Sequence, residues 1–143
     1  MSAPVPLTVL TGFLGAGKTT LLNALWDRIL AGQAVTRVVV ETTGLADPAP
    51  ILQTLMADPR LARRFVLDGV VTLVDAAAGL ATLDTQPEAV RQAAVADRIV
   101  LSKTDIAPAA DVAALRARLA ALNPVAPVIV AVAGAVEPAL LLA

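Results

Sequence analysis

The stretch Gly12-Phe13-Leu14-Gly15-Ala16-Gly17-Lys18-Thr19 fits the pattern G-x-x-x-x-G-K-[ST] and lies between an apolar run, Leu7-Thr8-Val9-Leu10, and a helical one, Thr20-Leu21-Leu22-Asn23. This placement constrains the chain more than any other feature, because a strand has to lead into the loop and a helix has to lead out of it. Gly12, Gly15 and Gly17 let the backbone fold back, so that successive N–H groups from Gly15 through Ala16 to Thr20 converge on a phosphate in front of the positive end of a helix. Lys18 supplies a point charge for the β- and γ-phosphates, and the Thr19 hydroxyl is placed to ligate Mg²⁺. The competing reading is a glycine-rich turn that only joins strand to helix.

Such a loop needs a packed scaffold, and a composition that is 57% hydrophobic over 143 residues is enough for one core. We therefore read residues 1–143 as one domain. A net charge of −1 with scattered basic residues leaves no electrostatic footprint for nucleic acid or an anionic membrane. Basic charge is carried almost entirely by arginine, and the only lysines, Lys18 and Lys103, both fall inside candidate nucleotide motifs. With no cysteine and no histidine, disulfides and soft-metal sites of the usual Cys/His kind cannot be built, so any metal is expected to be a hard, oxygen-bound cation. Met1-Ser2-Ala3-Pro4 lacks a leader's basic and apolar regions, and the apolar stretch from Pro124 to Val136 is broken by Pro127 and Gly134 and too short to span a bilayer. The expectation is a soluble cytoplasmic protein.

Short apolar runs alternate with helical patterns. Strands are expected at Leu7–Leu10, Arg37–Val40, Val70–Val74, Arg98–Leu101 and Val128–Val132, and most are continuous rather than alternating, as in parallel sheets covered on both faces. Helices are expected from Lys18 to about Ala31 with Gly32 as the stop, after Asp47-Pro48 through Ile51, Leu52, Leu55 and Met56, after the capping box Thr85-Gln86-Pro87-Glu88 through Ala96, and from Pro108 to Leu122. The fold class that follows is α/β, a three-layer phosphate-loop NTPase fold with a mostly parallel sheet. Ligands in such sheets bind beyond the carboxyl ends of the strands, and the polar outliers follow that rule: the Gly12 loop, Glu41-Thr42-Thr43-Gly44, Asp75, Ser102-Lys103-Thr104-Asp105 and Ala133-Gly134 each follow a strand.

Glu41, directly after Val38-Val39-Val40, occupies the position of the acidic residue that holds Mg²⁺, usually through water, and Gly44 is placed to bring its N–H to the γ-phosphate. A simply solvated strand-end carboxylate is the alternative. Ser102-Lys103-Thr104-Asp105 resembles the N-K-x-D guanine motif, in which the aspartate accepts from the guanine N1–H and N2–H₂ edge and the lysine stem lies across the ring. Ser102 departs from the usual asparagine, which bears on affinity more than on guanine preference. An exposed turn is the alternative here.

Together these residues resemble the GTPase domain of the CobW/HypB/UreG family, most closely its CobW-like branch. Thr11 through Asn23 resembles the family's phosphate loop, Glu41 through Pro50 its E-x-x-G segment, Val74-Asp75-Ala76 its next strand end, and Gln92 through Asp97 into Ser102–Asp105 its guanine motif. The resemblance implies GTP and GDP as ligands, Mg²⁺ at Thr19 and Glu41, hydrolysis relying on Lys18, Glu41 and Gly44, and delivery of a transition metal to a metalloprotein target. It also implies a long segment before Glu41 with the first switch region, a further acidic magnesium-site residue and a C-x-C-C motif, none of which is present here. The helix from Thr19 instead runs directly into Leu25-Trp26-Asp27-Arg28, which resembles the helix after that motif. The family also continues into a C-terminal domain beyond the position of Leu142.

Two readings compete: a slow Mg²⁺-dependent GTPase of the metallochaperone type, shortened to its nucleotide core, and a non-catalytic nucleotide-binding or interaction module on that fold. An ATP-using enzyme is disfavoured by Asp105. Without thiolate or imidazole, the remaining donors favour Mg²⁺. The isolated chain is therefore expected to bind Zn²⁺, Co²⁺ and Ni²⁺ no more tightly than the micromolar range, and calorimetry showing sub-micromolar Zn²⁺ binding would contradict that.

Overall fold

The computed structural model describes residues 3–13, 37–42, 44, 47–131, 135–136 and 140. The loop from Leu14 onward, the helix expected from Lys18 and its Gly32 stop, and Ala133-Gly134 lie outside the described residues. Five strands form one sheet in the order β2-β1-β3-β4-β5: β1 Val5–Gly12, β2 Val38–Glu41, β3 Phe65–Asp75, β4 Arg98–Ser102 and β5 Val128–Val130. Every pairing is parallel, so the sheet is wholly rather than mostly parallel. The connection after β1 leads to one side, and the chain then returns past β1 to place β3, β4 and β5 on the other. The crevice where strand order reverses therefore lies between the ends of β1 and β3.

Both faces of the sheet are buried. On one face Leu7, Val9, Val70, Ile99 and Leu101 pack against helices; on the other Leu10, Val71, Leu73 and Val100 are equally enclosed. The continuous apolar runs that identified the strands are explained by this double covering. The described helices are α1 Ala49–Ala57, α2 Pro59–Arg64, α3 Gly79–Thr85, α4 Pro87–Ala94 and α5 Ala109–Leu122. Leu115 and Leu119 of α5 are fully buried, as their helical spacing predicts.

Several boundaries differ from expectation for local reasons. α1 starts one residue late, with Pro48 at the cap position, yet Asp47 still does the capping chemistry by accepting from the Ala49 N–H at 3.0 Å. α2 was not expected; Asp58 caps it, accepting from the Arg60 N–H at 2.9 Å, and the Arg60 side chain, followed by that N–H, holds the Asp58 carboxyl below the usual carboxylate range. The capping box at Thr85 does not form. Thr85 Oγ1 instead donates to the Ala81 carbonyl at 2.8 Å and closes α3, which was also not expected, while Gln86 becomes the cap of α4.

β3 runs five residues earlier than its apolar core suggests, because Asp68 is bulged out between the Leu7–Leu67 and Thr8–Gly69 pairs. The bulged carboxylate is not left alone: Arg37 Nη1 donates to it at 2.7 Å and the Thr8 hydroxyl at 3.2 Å, with both charged side chains mostly buried. One polar side chain also ties the helical layer to the sheet. Asn123 Nδ2 donates to the Ala93 carbonyl at 3.0 Å and the Ala96 carbonyl at 2.8 Å, while its Oδ1 accepts from the N–H groups of Val125 and Ala126 at 3.3 and 3.1 Å.

Asn123 is buried, so truncating it removes a buried donor from the Ala96 carbonyl and leaves the Ala93 carbonyl with backbone donors alone, the Ala96 N–H at 3.4 Å among them. Asn123→Ala is expected to cost about 2–3 kcal/mol. Urea unfolding checks this, and a loss within the ~0.5 kcal/mol typical of surface substitutions would show that water takes over the amide's bonds.

Candidate functional site

The register of the parallel ladders gathers the strand ends. Leu10 is opposite Glu41, Gly12 opposite Leu73, and Asp75 opposite Ser102. By the two-residue alternation of strands, Gly12, Glu41, Asp75 and Ser102 all share the face that carries Leu10, Leu73 and Val100. Their assembly is thus finer than a common edge: it is one edge and one face.

Gly12, the last residue of β1, is held at φ +154, and a Cβ there would sit 2.5 Å from the Leu73 carbonyl oxygen. Only glycine fits this close approach, which launches the chain from β1 toward the loop. Phe13 then packs half-buried against the helical cluster and lines a cavity of about 30 Å³ with Gly79, Leu83 and Gln92, room for about one water and no ligand. A wider hollow of about 680 Å³ lies beside Arg60, Arg63 and Phe65, at the opposite end of β3 from Asp75. It takes no part in the site.

Glu41, expected just past a strand ending at Val40, is instead the exposed last residue of β2, and the next residue turns inward. The Thr42 hydroxyl, fully enclosed, donates to the Thr11 hydroxyl at 2.8 Å, and the Thr42 N–H donates to the Leu10 carbonyl at 3.0 Å. Gly44 is buried, and Gln92 Nε2, on α4, donates to its carbonyl at 3.3 Å. Gln92 is 1% exposed, and its own carbonyl accepts from the Thr72 hydroxyl at 2.6 Å. Sequence reasoning passed over Gln92 as a support of this loop. The signal was there: a polar residue at core spacing between Ala89 and Ala93.

The guanine-motif candidates fall in one turn. Lys103 follows β4 at φ +58, and its carbonyl accepts from the N–H groups of Ile106 and Ala107 at 3.3 and 3.2 Å, leaving Asp105 exposed on the turn. Lys103 Nζ reaches back across the sheet edge to Asp75 Oδ2 at 2.8 Å. Asp75 Oδ1 meanwhile accepts from the N–H groups of Ala77 and Ala78 at 2.7 and 3.2 Å, shaping the turn into α3. The left-handed backbone of Lys103 costs roughly 1–2 kcal/mol. An ion pair whose lysine side chain is 41% exposed returns ~0.2–1 kcal/mol at most. The pair therefore fixes geometry rather than adding net stability. Ser102, in place of asparagine, bonds the Val74 carbonyl at a long 3.5 Å.

Of the residues singled out in the sequence, Gly12, Glu41, Gly44, Ser102, Lys103 and Asp105 thus occur at this edge. Gly15, Ala16, Gly17, Lys18, Thr19 and Thr20 lie outside the described residues. Among the described residues no cluster of acidic groups is arranged to hold a metal, and no helix is long and apolar enough to cross a membrane.

A parallel sheet with strand order 2-1-3-4-5, with polar strand ends around the β1/β3 crevice, defines a doubly wound α/β protein, and the G-x-x-x-x-G-K-T sequence after β1 makes it one of the phosphate-loop type. The profile of the CobW/HypB/UreG nucleotide-binding domain matches residues 6–32 and 26–130, and the chain belongs to that family. It is 32% identical to the zinc chaperone YjiA of Escherichia coli, over 96% of this chain and 61% of that protein. It is 26% identical to the zinc-regulated GTPase metalloprotein activator 1 of Schizosaccharomyces pombe, over 88% of this chain and 45% of the relative. The crystal structure of Zn(II)-bound YjiA GTPase superposes with a TM-score of 0.82 at 32% identity, covering 98% of this chain and 61% of that one. The chain therefore spans less than two thirds of the length of these relatives. The alignment with YjiA runs to 195 positions against 143 residues here, so that relative carries a stretch with no counterpart in this chain. The profile match comes in two parts that overlap at residues 26–32, around Trp26-Asp27-Arg28.

Proposed function

We propose that residues 1–143 form a shortened guanine-nucleotide-binding domain that hydrolyses GTP slowly with Mg²⁺, the nucleotide core of a CobW-like metallochaperone working in the cytoplasm. The observation that carries this reading is the gathering of Gly12, Glu41, Asp75 and Ser102 on one edge and one face beside the β1/β3 crevice. In this reading Gly15, Ala16, Gly17, Lys18, Thr19 and Thr20 bind the phosphates, Gly44 meets the γ-phosphate, and Ser102, Lys103 and Asp105 take the base.

The donor chemistry fits Mg²⁺: Glu41 presents an exposed carboxylate at the edge, Thr19 adds a hydroxyl, and the chain has no thiolate or imidazole to compete. Held by Glu41 and Thr19, the ion would supply positive charge against the phosphate oxygens. The protein's own contribution is positional. Lys18 holds the phosphate, Glu41 orients the metal side, and the Thr11–Thr42 and Gln92–Gly44 bonds keep the Glu41 loop in place. A metalloprotein target is the partner that this family reading supplies.

Guanine preference rests on Asp105. Losing its pair of bonds to the base should cost on the order of 2–3 kcal/mol. Calorimetry is expected to show GTP bound more tightly than ATP, a preference lost in Asp105→Ala, and tight binding lost in Lys18→Ala with the circular dichroism unchanged. Equal affinity of the unsubstituted chain for the two nucleotides would sink the reading.

A second reading, binding without turnover, is favoured because no residue of this chain is assigned to position the attacking water, while YjiA carries a stretch with no counterpart here. Single-turnover assays separate the two. We expect a slow rate that falls further in Glu41→Gln and Thr19→Ala. No turnover at all would favour the second reading, and a rate near the roughly 10 s⁻¹ of partner-assisted GTPases would show that the site is more complete than its residues indicate.

A further inference from the structure

Among the described residues, Asp75 is the one charged strand-end residue to which the guanine-nucleotide reading gives no role. Its carboxylate is mostly buried and divided between two jobs, Oδ1 on the N–H groups of Ala77 and Ala78 and Oδ2 on Lys103 Nζ at 2.8 Å. It stands opposite Ser102 in the ladder, and the Ala76 N–H extends that ladder by donating to the Ser102 carbonyl at 2.8 Å. Lys103 thus leaves β4 from a fixed point. A lysine at φ +58, with its stem drawn across to β3, is an unusual arrangement that the long Ser102–Val74 contact at 3.5 Å is too weak to impose.

We propose that Asp75 is a positioning residue for nucleotide binding: it holds the Lys103 ammonium at the end of β3, so that the lysine stem forms a preset surface for the flat face of the base. The proposal rests on the guanine-nucleotide reading and adds to it a residue outside the S-K-T-D motif. Its logic is that a flexible four-carbon chain, ordered before the ligand arrives, has less freedom to lose on binding. Asp75 acts through Lys103 and touches no nucleotide itself.

Asp75→Asn isolates the ammonium contact, because an asparagine oxygen still accepts from Ala77 and Ala78 while its amide does not attract Lys103. Lys103→Met keeps an apolar stem and removes the charge. GTP and GDP affinities are measured by calorimetry for the unsubstituted chain, both single variants and the double variant, with thermal unfolding recorded alongside. Asp75→Asn should weaken GTP and GDP equally, about tenfold, with the melting temperature little changed, and it should add nothing further in the Lys103→Met background. A second readout follows from the lysine count: after ¹³C reductive methylation, the Lys103 signal, assigned by its loss in Lys103→Met, should move in Asp75→Asn and on adding GDP. Unchanged affinity in Asp75→Asn, full additivity in the double variant, or a Lys103 signal indifferent to Asp75 would overturn the proposal while leaving the guanine-nucleotide reading intact. Failure of the unsubstituted chain to bind either nucleotide would overturn both.

Discussion

The parallel ladder between β1 and β3 is the interaction on which the rest depends. It sets Gly12 against Leu73, and the β3–β4 ladder in turn sets Asp75 against Ser102, so three of the four strand ends at the site take their places relative to β3. A slip of one residue would move each polar end to the opposite face and expose the apolar partners that now fill both layers. The bulge at Asp68 adjusts that register once, upstream, and the Arg37 and Thr8 contacts hold the adjustment. Removing Arg37 would leave a mostly buried carboxylate with one hydroxyl partner, so the far end of the strand pair is fixed by charge as the near end is fixed by a glycine.

Much of this was legible in the letters because buried parallel strands have an unmistakable composition. Val38-Val39-Val40 and Ile99-Val100-Leu101 allow few other placements, and the polar residue that follows each has to fall at the sheet edge. What was not legible depended on competition between local options. Thr85 carried the signature of a helix start, yet its hydroxyl had an equally local partner in the Ala81 carbonyl, and the preceding helix took it. Gly79-Leu80-Ala81-Thr82 has no strong helical pattern, and Gly79 opens α3 close against α5, where a Cβ would lie 2.9 Å from Leu115 Cδ2. β3 was expected from Val70, where its continuous apolar run begins, whereas a bulge lets the strand start at Phe65 and pass through Asp68-Gly69.

The site divides in the same way. Chain position was enough to nominate Glu41, Gly44, Lys103 and Asp105, since each follows a recognisable strand. Spacing says nothing of which side chains meet across it. Lys103 and Asp75 are 28 residues apart, and Gln92 and Gly44 48, and neither pairing leaves a periodic trace. The second pairing also shows that the E-x-x-G segment is supported from below by a helix, through a buried amide, rather than held only at its strand end.

Asn123 has a consequence for how the molecule opens. One amide serves the last turn of α4, the approach to β4 and the turn into β5, so none of the three can fray alone without stranding a buried polar group of another. The backbone N–H groups of these segments should then exchange with solvent at a common slow rate, as a single cooperative unit, while α1 and α2, which share no such tie, exchange independently and faster. The half of the domain that carries Lys103 and Asp105 would thus keep its shape through fluctuations that disturb the other half.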